Sequence, residues 1–289
     1  MSVTRRQFVS TCLTVTAASW TGQLMAENTS SHKPQFRIAN KGGSIGSTYE
    51  EMLQKLRHYK SLGYDGIEGQ IPGVSDTTAL REAIETAQFP VHGIVGGLHW
   101  KKRLSDPDSQ VRDEGREALI EGLKGAHAIG ATSLLVVPGR VTGAEETHED
   151  VWKRSLVELR KILPLAEKLK IQVLIENVWN GFCETPEEFR DYVDELESEM
   201  AGIYFDIGNV RRFGKPEDWI RLLGSRIKKL DVKDWGKKNS FCRLGEGDVD
   251  WPAVCDALKE IQYTGWATRE GGDQSLSDTV SLMNQLLQR

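Results

Sequence analysis

Eight short apolar runs alternate strictly with segments of helical spacing between Phe36 and Leu287, and no other feature restricts the fold as much. The runs read as strands at 36–40, 65–68, 91–97, 133–137, 171–176, 201–206, 227–232 and 265–270. Helices are expected over 49–62, 77–87, 109–129, 149–170, 186–196, 216–223, 251–261 and 276–287. Thr185-Pro186 opens one of them with a cap followed by proline at the first helical position. Gly63 and Gly130 close two others. Strict strand–helix alternation implies a parallel sheet of the α/β class. The length suits a single (β/α)8 TIM barrel, for which about 250 residues is typical. The open, doubly wound alternative lacks its dinucleotide fingerprint. Gly42-Gly43-Ser44-Ile45-Gly46 follows the first strand but has the wrong spacing and no acidic partner at the right distance. Residues 237–247 form the one long late loop, a candidate lid.

Ahead of the barrel, Arg5-Arg6 precedes a mildly apolar stretch from Phe8 to Trp20 and a small-residue cleavage site after Ala26. This is the pattern of a twin-arginine export signal over 1–26, followed by a polar linker over 27–34 and the barrel over 35–289. The expected location is therefore the periplasm or beyond. The apolar stretch is too short and too rich in Ser and Thr for a permanent membrane span. A net charge of -5 argues against a nucleic-acid surface. Nothing in the sequence excludes a homo-oligomer. Cys183, Cys242 and Cys255 are irregularly spaced without a CxxC, so no zinc cluster is expected, although an oxidising compartment would allow one disulfide.

Four acidic residues end successive strand candidates: Glu176 in IQVLIEN, Asp206 in GIYFDIG, Asp231 in IKKLDVKD and Glu270 in GWATREGG. The steps between them are 30, 25 and 39 residues, roughly one strand-helix-strand unit of ~30 residues or more. In a parallel barrel such strand ends converge on the mouth where active sites lie. Taken singly, each acid is as readily a helix cap or the partner of a Lys or Arg. Taken together they demand a counter-charge, because crowded carboxylates raise one another's pKa. One divalent metal is the simplest answer, with Mn or Mg favoured by oxygen ligands and Co or Zn compatible with mixed ligation. A metal chelated by adjacent sugar oxygens would polarise a carbonyl and favour an enediolate. Glu176 and Glu270, on well-separated strands, would then take and return a proton.

The chain also resembles the sugar phosphate isomerase/epimerase group of the xylose-isomerase-like TIM barrels. The resemblance runs through VGGLHWKKRLSDPD (95–108), LLVVPGRV (134–141), LIENVWN (174–180), YFDIGNV (204–210), VKDW (232–235), EGDVDWPAV (246–254) and TGWATRE (264–270). It implies metal ligation by Glu176, Asp206, position 231 and Glu270, with the two glutamates as the acid/base pair. Position 231 departs from the pattern, since the family's His-Val-Lys-Asp is here Asp231-Val232-Lys233-Asp234. Either Asp231 ligates, adding negative charge, or it does not reach the metal and water takes its place.

The substrate side of the site is expected to include His99 and Trp100 after the third strand, with a sugar face against the indole. Asn209, Lys233, Glu68 and Trp179 are further candidates. Lys233 is expected to hold a substrate oxygen or to neutralise Asp231. His92 is expected at the barrel bottom, while Arg140 and Arg269 are candidates for binding an anionic group. The resulting expectation is a metal-dependent isomerase or epimerase of a sugar, non-phosphorylated because the protein is exported. Two alternatives use the same residues: a lyase or hydratase acting on a 3-keto glycoside, and a sugar-binding barrel that has lost catalysis.

Overall fold

The computed structural model describes residues 36–71, 76–271 and 275–287. The expected export signal and linker, with Cys12, lie outside the described residues. The order is β1 Arg37–Gly43, α1 Tyr49–Ser61, β2 Gly66–Ile71, α2 Thr77–Ala87, β3 Val91–Gly96, α3 Ser109–Ile129, β4 Ser133–Val136, α4 His148–Leu169, β5 Gln172–Glu176 and α5 Pro186–Asp194. It continues with β6 Ala201–Asp206, α6 Ile207–Val210, α7 Pro216–Leu223, β7 Ile227–Val232, β8 Asp234–Gly236, β9 Ser240–Cys242, α8 Trp251–Glu260, β10 Trp266–Arg269 and α9 Leu276–Leu286. Eight parallel strands close in the order β1-β10-β7-β6-β5-β4-β3-β2. This is the expected (β/α)8 barrel.

Strand parity decides what faces where, because successive side chains point to opposite faces. Val173 and Ile175 of β5, Ile203 and Phe205 of β6, and Leu134 and Val136 of β4 pack outward into the continuous layer under the helices. Leu174, Tyr204 and Leu135 point inward and form a small separate cluster with Val95. Glu176 and Asp206 share the inward parity, two residues further along. The chain thus spends one face of each strand on hydrophobic closure and frees the other for polar work at the mouth.

The helices start where local chemistry says they should. Thr48, Thr147 and Thr185 each accept from the backbone N–H three residues on, while Glu51, Asp150 and Glu188 answer the cap backbone. Two expectations change. The 237–247 segment is not a plain loop, since β8 and β9 pair as an antiparallel hairpin that sets Trp235 opposite Phe241. Strands β1 and β2 run past the expected ends at Asn40 and Glu68, because ladder pairing holds Lys41 beside Glu68 and Gln70 beside Val95. Cys183 and Cys255 are free thiols.

The hairpin is anchored from below. Asp234 is fully buried and its carboxylate accepts from the Gly245 N–H at 2.8 Å and the Trp251 indole at 3.1 Å. A Cβ on Gly247 would stand 2.1 Å from Asp234 Oδ1, so glycine is required there. The VKDW and EGDVDW segments are therefore the two halves of one clamp.

Candidate active site

Glu176, Asp206, Asp231 and Glu270 meet at the mouth, each offering a carboxylate oxygen, all within 4.8 Å of one another. The register explains the convergence. Asp206 and Asp231 are directly paired across β6 and β7, and Thr268, two residues before Glu270, pairs with Asp231. Asp206 also caps α6, its Oδ1 accepting from the Asn209 N–H at 2.8 Å. One oxygen serves as a helix cap and the other faces the cluster, so both expected roles coexist.

Two ammonium groups enter the cluster. Lys41 Nζ lies 2.7 Å from Asp231 Oδ2 and 3.6 Å from Glu270 Oε2. Lys233 Nζ lies 3.0 Å from Asp206 Oδ2 and 2.6 Å from Glu270 Oε2. Lys233 therefore answers Asp206 and Glu270, and the cation on Asp231 is Lys41, a residue the sequence reading missed. The sequence signal was parity: two residues beyond inward-facing Ala39, Lys41 keeps the same face if the strand is allowed to continue.

The electrostatics divide the acids. Burial, opposed by Lys41 and reinforced by Glu270 and Asp206, pushes Glu176 up to about 8. Burial also raises Asp206 and takes Asp231 well above the usual carboxylate range, against the pull of the lysines. At Glu270 burial acts upward too, but Lys41 and Lys233 outweigh it and hold the group down at about 2. Both lysines are raised by their carboxylate neighbours despite burial, so they stay charged.

These side chains fit a divalent metal. With all four carboxylates ionised, as metal ligation requires, they and the two ammonium groups sum to -2, the charge one dication cancels. Asp231 Oδ1 is buried with no hydrogen-bond partner among the described residues, a costly state for a carboxylate oxygen unless something else coordinates it.

A cavity of about 410 Å³ opens onto the cluster. His99 and Trp100 line it as expected. Burial, aided by the charge on Lys41, lowers His99 to about 4, so its imidazole is neutral, with a buried Nδ1 that has no partner among the described residues. Trp179 lines the wall, its indole N–H donated to the Asn209 carbonyl at 2.8 Å. Asn209 borders the cavity as a substrate contact would, and one amide N–H also braces the site by donating to the Asn177 carbonyl at 2.9 Å. Asn177, also missed, ties β5 to β6 by exchanging two bonds with the Asp206 backbone at 2.8 and 2.9 Å.

Glu68 lines the cavity floor as expected and is also tied into a buried network beneath it. It accepts from the Tyr204 hydroxyl at 3.2 Å, and that hydroxyl also lies 2.8 Å from Thr268 Oγ1. Thr268 in turn meets His92 Nε2 at 3.2 Å, and His92 Nδ1 lies 2.8 Å from Lys229 Nζ. His92 stacks on Trp266 at 4.2 Å, the structural place foreseen for it. Arg269 is buried and donates to the Val232 carbonyl at 3.1 Å, and Arg140 is exposed; neither lines the cavity.

A sequence profile described as the xylose isomerase-like TIM barrel matches residues 56–285. The chain belongs to the xylose isomerase-like TIM barrel family. Within that family's wider circle, an uncharacterized protein of Methanocaldococcus jannaschii is 27% identical over 183 residues, covering 60% of this chain and 61% of its own length. This chain thus spans about three fifths of that relative. The inosose dehydratase of Clostridium perfringens is 21% identical over 252 residues, covering 76% of this chain and 81% of its own. Among solved structures, a D-tagatose 3-epimerase-like protein superposes with a TM-score of 0.75 at 20% identity, covering 88% of this chain and 97% of that one. The xylose isomerase-like barrel places its four mouth acids where the sequence pattern located them. No helix among the described residues is long and apolar enough to cross a membrane.

Proposed function

We propose that this protein is a divalent-metal-dependent isomerase or epimerase that moves a proton at a carbon next to the carbonyl of a sugar or sugar derivative. One observation carries the reading: four carboxylates converge within 4.8 Å around only two lysines at the floor of a cavity. Glu176, Asp206, Asp231 and Glu270 would hold the metal, with Mn or Mg suited to an all-oxygen set. When bound, the metal supplies Lewis-acid polarisation of the substrate carbonyl.

The side chains do the rest. Glu176 and Glu270 stand on β5 and β10, three strands apart around the barrel. Their surroundings push them in opposite directions, one toward the acid and one toward the carboxylate. Such divergence suits a pair that gives a proton on one side of a substrate and takes one on the other. Neutral His99 is placed to bond a sugar hydroxyl. Lys41 and Lys233 are the cationic side chains lining the cavity among the described residues, and both are engaged by carboxylates. That favours an unphosphorylated substrate, in keeping with the export pattern at Arg5-Arg6 and a periplasmic location.

A second reading has its own support. The similarity to an inosose dehydratase suits a lyase that begins with the same proton abstraction and then expels an oxygen substituent. The test is metal content by mass spectrometry for the wild type and Glu176→Gln, followed by a keto-sugar screen in D2O read by NMR. One metal per chain, lost in Glu176→Gln, with deuterium entering beside the carbonyl, is the expected result. Retained carbon skeleton and hydroxyls identify the isomerase, and loss of water or aglycone identifies the lyase. No metal under any loading condition would leave a sugar-binding barrel.

A further inference from the structure

Among the described residues three large apolar side chains are strongly exposed, Trp100 at 44%, Val157 at 51% and Phe241 at 45%. Two of the three, Trp100 and Phe241, line the same cavity. Exposed aromatic surface costs free energy, and its concentration at one cavity marks a ligand wall.

The two aromatics face each other by construction. Trp100 follows β3, and Phe241 belongs to the hairpin that follows β7. β3 and β7 are four steps apart in a ring of eight, on opposite sides of the mouth. The Phe241 side is rigid. Its ring stacks on Trp179 at 4.6 Å and 21°, while Trp179 is pinned by its indole bond to Asn209 and by Trp235 edge-on at 6.0 Å. The wall also continues into the reacting centre. Lys233 Nζ, the ammonium on Asp206 and Glu270, lies 5.0 Å from the Phe241 ring centroid. Arg212 sits 4.8 Å from the Trp179 centroid, so the aromatic stack is bordered by polar groups.

We propose that the outer part of this cavity is a subsite for a second sugar ring, gripped between Trp100 and the Phe241–Trp179 stack and joined glycosidically to the ring that reacts below. The substrate class is then a glycoside, not a free monosaccharide; the proposal rests on the reading that the inner acids act on a sugar. A pyranose matches this wall, its C–H face lying against the rings. The inner ring meets charged and polar groups instead: Glu176, Glu270, Lys41, Lys233 and His99.

The test is calorimetric binding of trehalose and methyl β-cellobioside, each set against the corresponding methyl glucoside. None carries a carbonyl, so binding is read without turnover. Phenyl glucoside serves as the aryl control. The expected result is tighter binding of a disaccharide than of its monosaccharide. Trp100→Ala and Phe241→Ala should each weaken the disaccharide about threefold to tenfold, and Phe241→Ala should do so with no change for the methyl glucoside. Phe241→Tyr should retain the advantage. Both positions are exposed, so the barrel is untouched. Equal or undetectable binding of all ligands, or an advantage that survives both alanine variants, would overturn the subsite. An advantage confined to phenyl glucoside would overturn the second sugar ring in favour of an aryl group.

The two readings fail separately. A disaccharide advantage lost in the variants, with no turnover of any keto sugar, removes the reaction and keeps the subsite. Turnover of free 3-keto-glucose as fast as of its glycosides, unchanged in both variants, removes the subsite and keeps the reaction.

Discussion

The barrel holds two layers of buried polar groups, one pleat apart, and they are built on opposite principles. The lower layer contains Glu68, Tyr204, Lys229, Thr268 and His92; three of these stand two residues before a mouth acid on the same strand. Its charges balance, one carboxylate against one ammonium, and hydrogen bonds link Glu68 through Tyr204, Thr268 and His92 to Lys229. Burial lowers Lys229 to about 7, with Glu68 opposing, and raises Glu68. The upper layer holds four carboxylates against two lysines, with Asp231 Oδ1 unpartnered among the described residues. Glu68 Oε1 in the lower layer also has no hydrogen-bond partner among the described residues, so the difference between the layers is one of charge: a balanced layer is structure. A layer left two charges short is a site prepared for a cation.

The contrast can be broken from either side. The largest effect is expected at Glu176→Gln and Glu270→Gln. Each should lower the rate of solvent deuterium incorporation into substrate by about 10²–10⁴-fold, the range for a general acid or base. Thermal melting should stay close to wild type in Glu176→Gln, where the change relieves crowding, and fall in Glu270→Gln, whose carboxylate is the shared partner of Lys41 and Lys233. Unimpaired exchange in both variants would remove them as the acid/base pair.

Next is Lys41→Met, which strips Asp231 of its cation. In the presence of a chelator, urea unfolding should show a loss of about 3–5 kcal/mol, the cost of an orphaned buried charge. Adding Asp231→Asn should restore most of it, a coupling that a double-mutant cycle isolates. Additive losses would mean that the pair is not a unit, and that Lys41 does not offset the departure at position 231.

The smallest effect sharpens the lower layer. A Cβ at Gly93 would stand 2.8 Å from Glu68 Oε1, 2.8 Å from Lys229 Nζ and 2.9 Å from Ser133 Oγ. Gly93→Ala should cost about 1–3 kcal/mol by overpacking. Metal stoichiometry, read by mass spectrometry, should remain that of wild type. Loss of metal together with stability would merge the two layers into one functional unit.

Much of this was legible in the sequence. The acids at 176, 206, 231 and 270 were found because each ends an apolar run and strand ends of a parallel barrel share one face. Strand limits were less legible at β1 and β2. Polar Lys41 and Gln70 stop the apolar pattern, but neighbouring strands continue the ladder. That hid Lys41 entirely. Asn209 and Lys233 were located at the mouth, but their partners within the protein were not foreseen, because those lie 27 and 32 residues away in the chain.

Hydrophobic periodicity is a local property, so the sequence alone determined the barrel, its strand parity and the four acids that point into its mouth. Charge balance is a property of groups brought together from distant strands. Only the tertiary structure decided that two lysines enter the acid cluster, that a neutral layer lies beneath it, and that Trp100 and Phe241 wall its entrance.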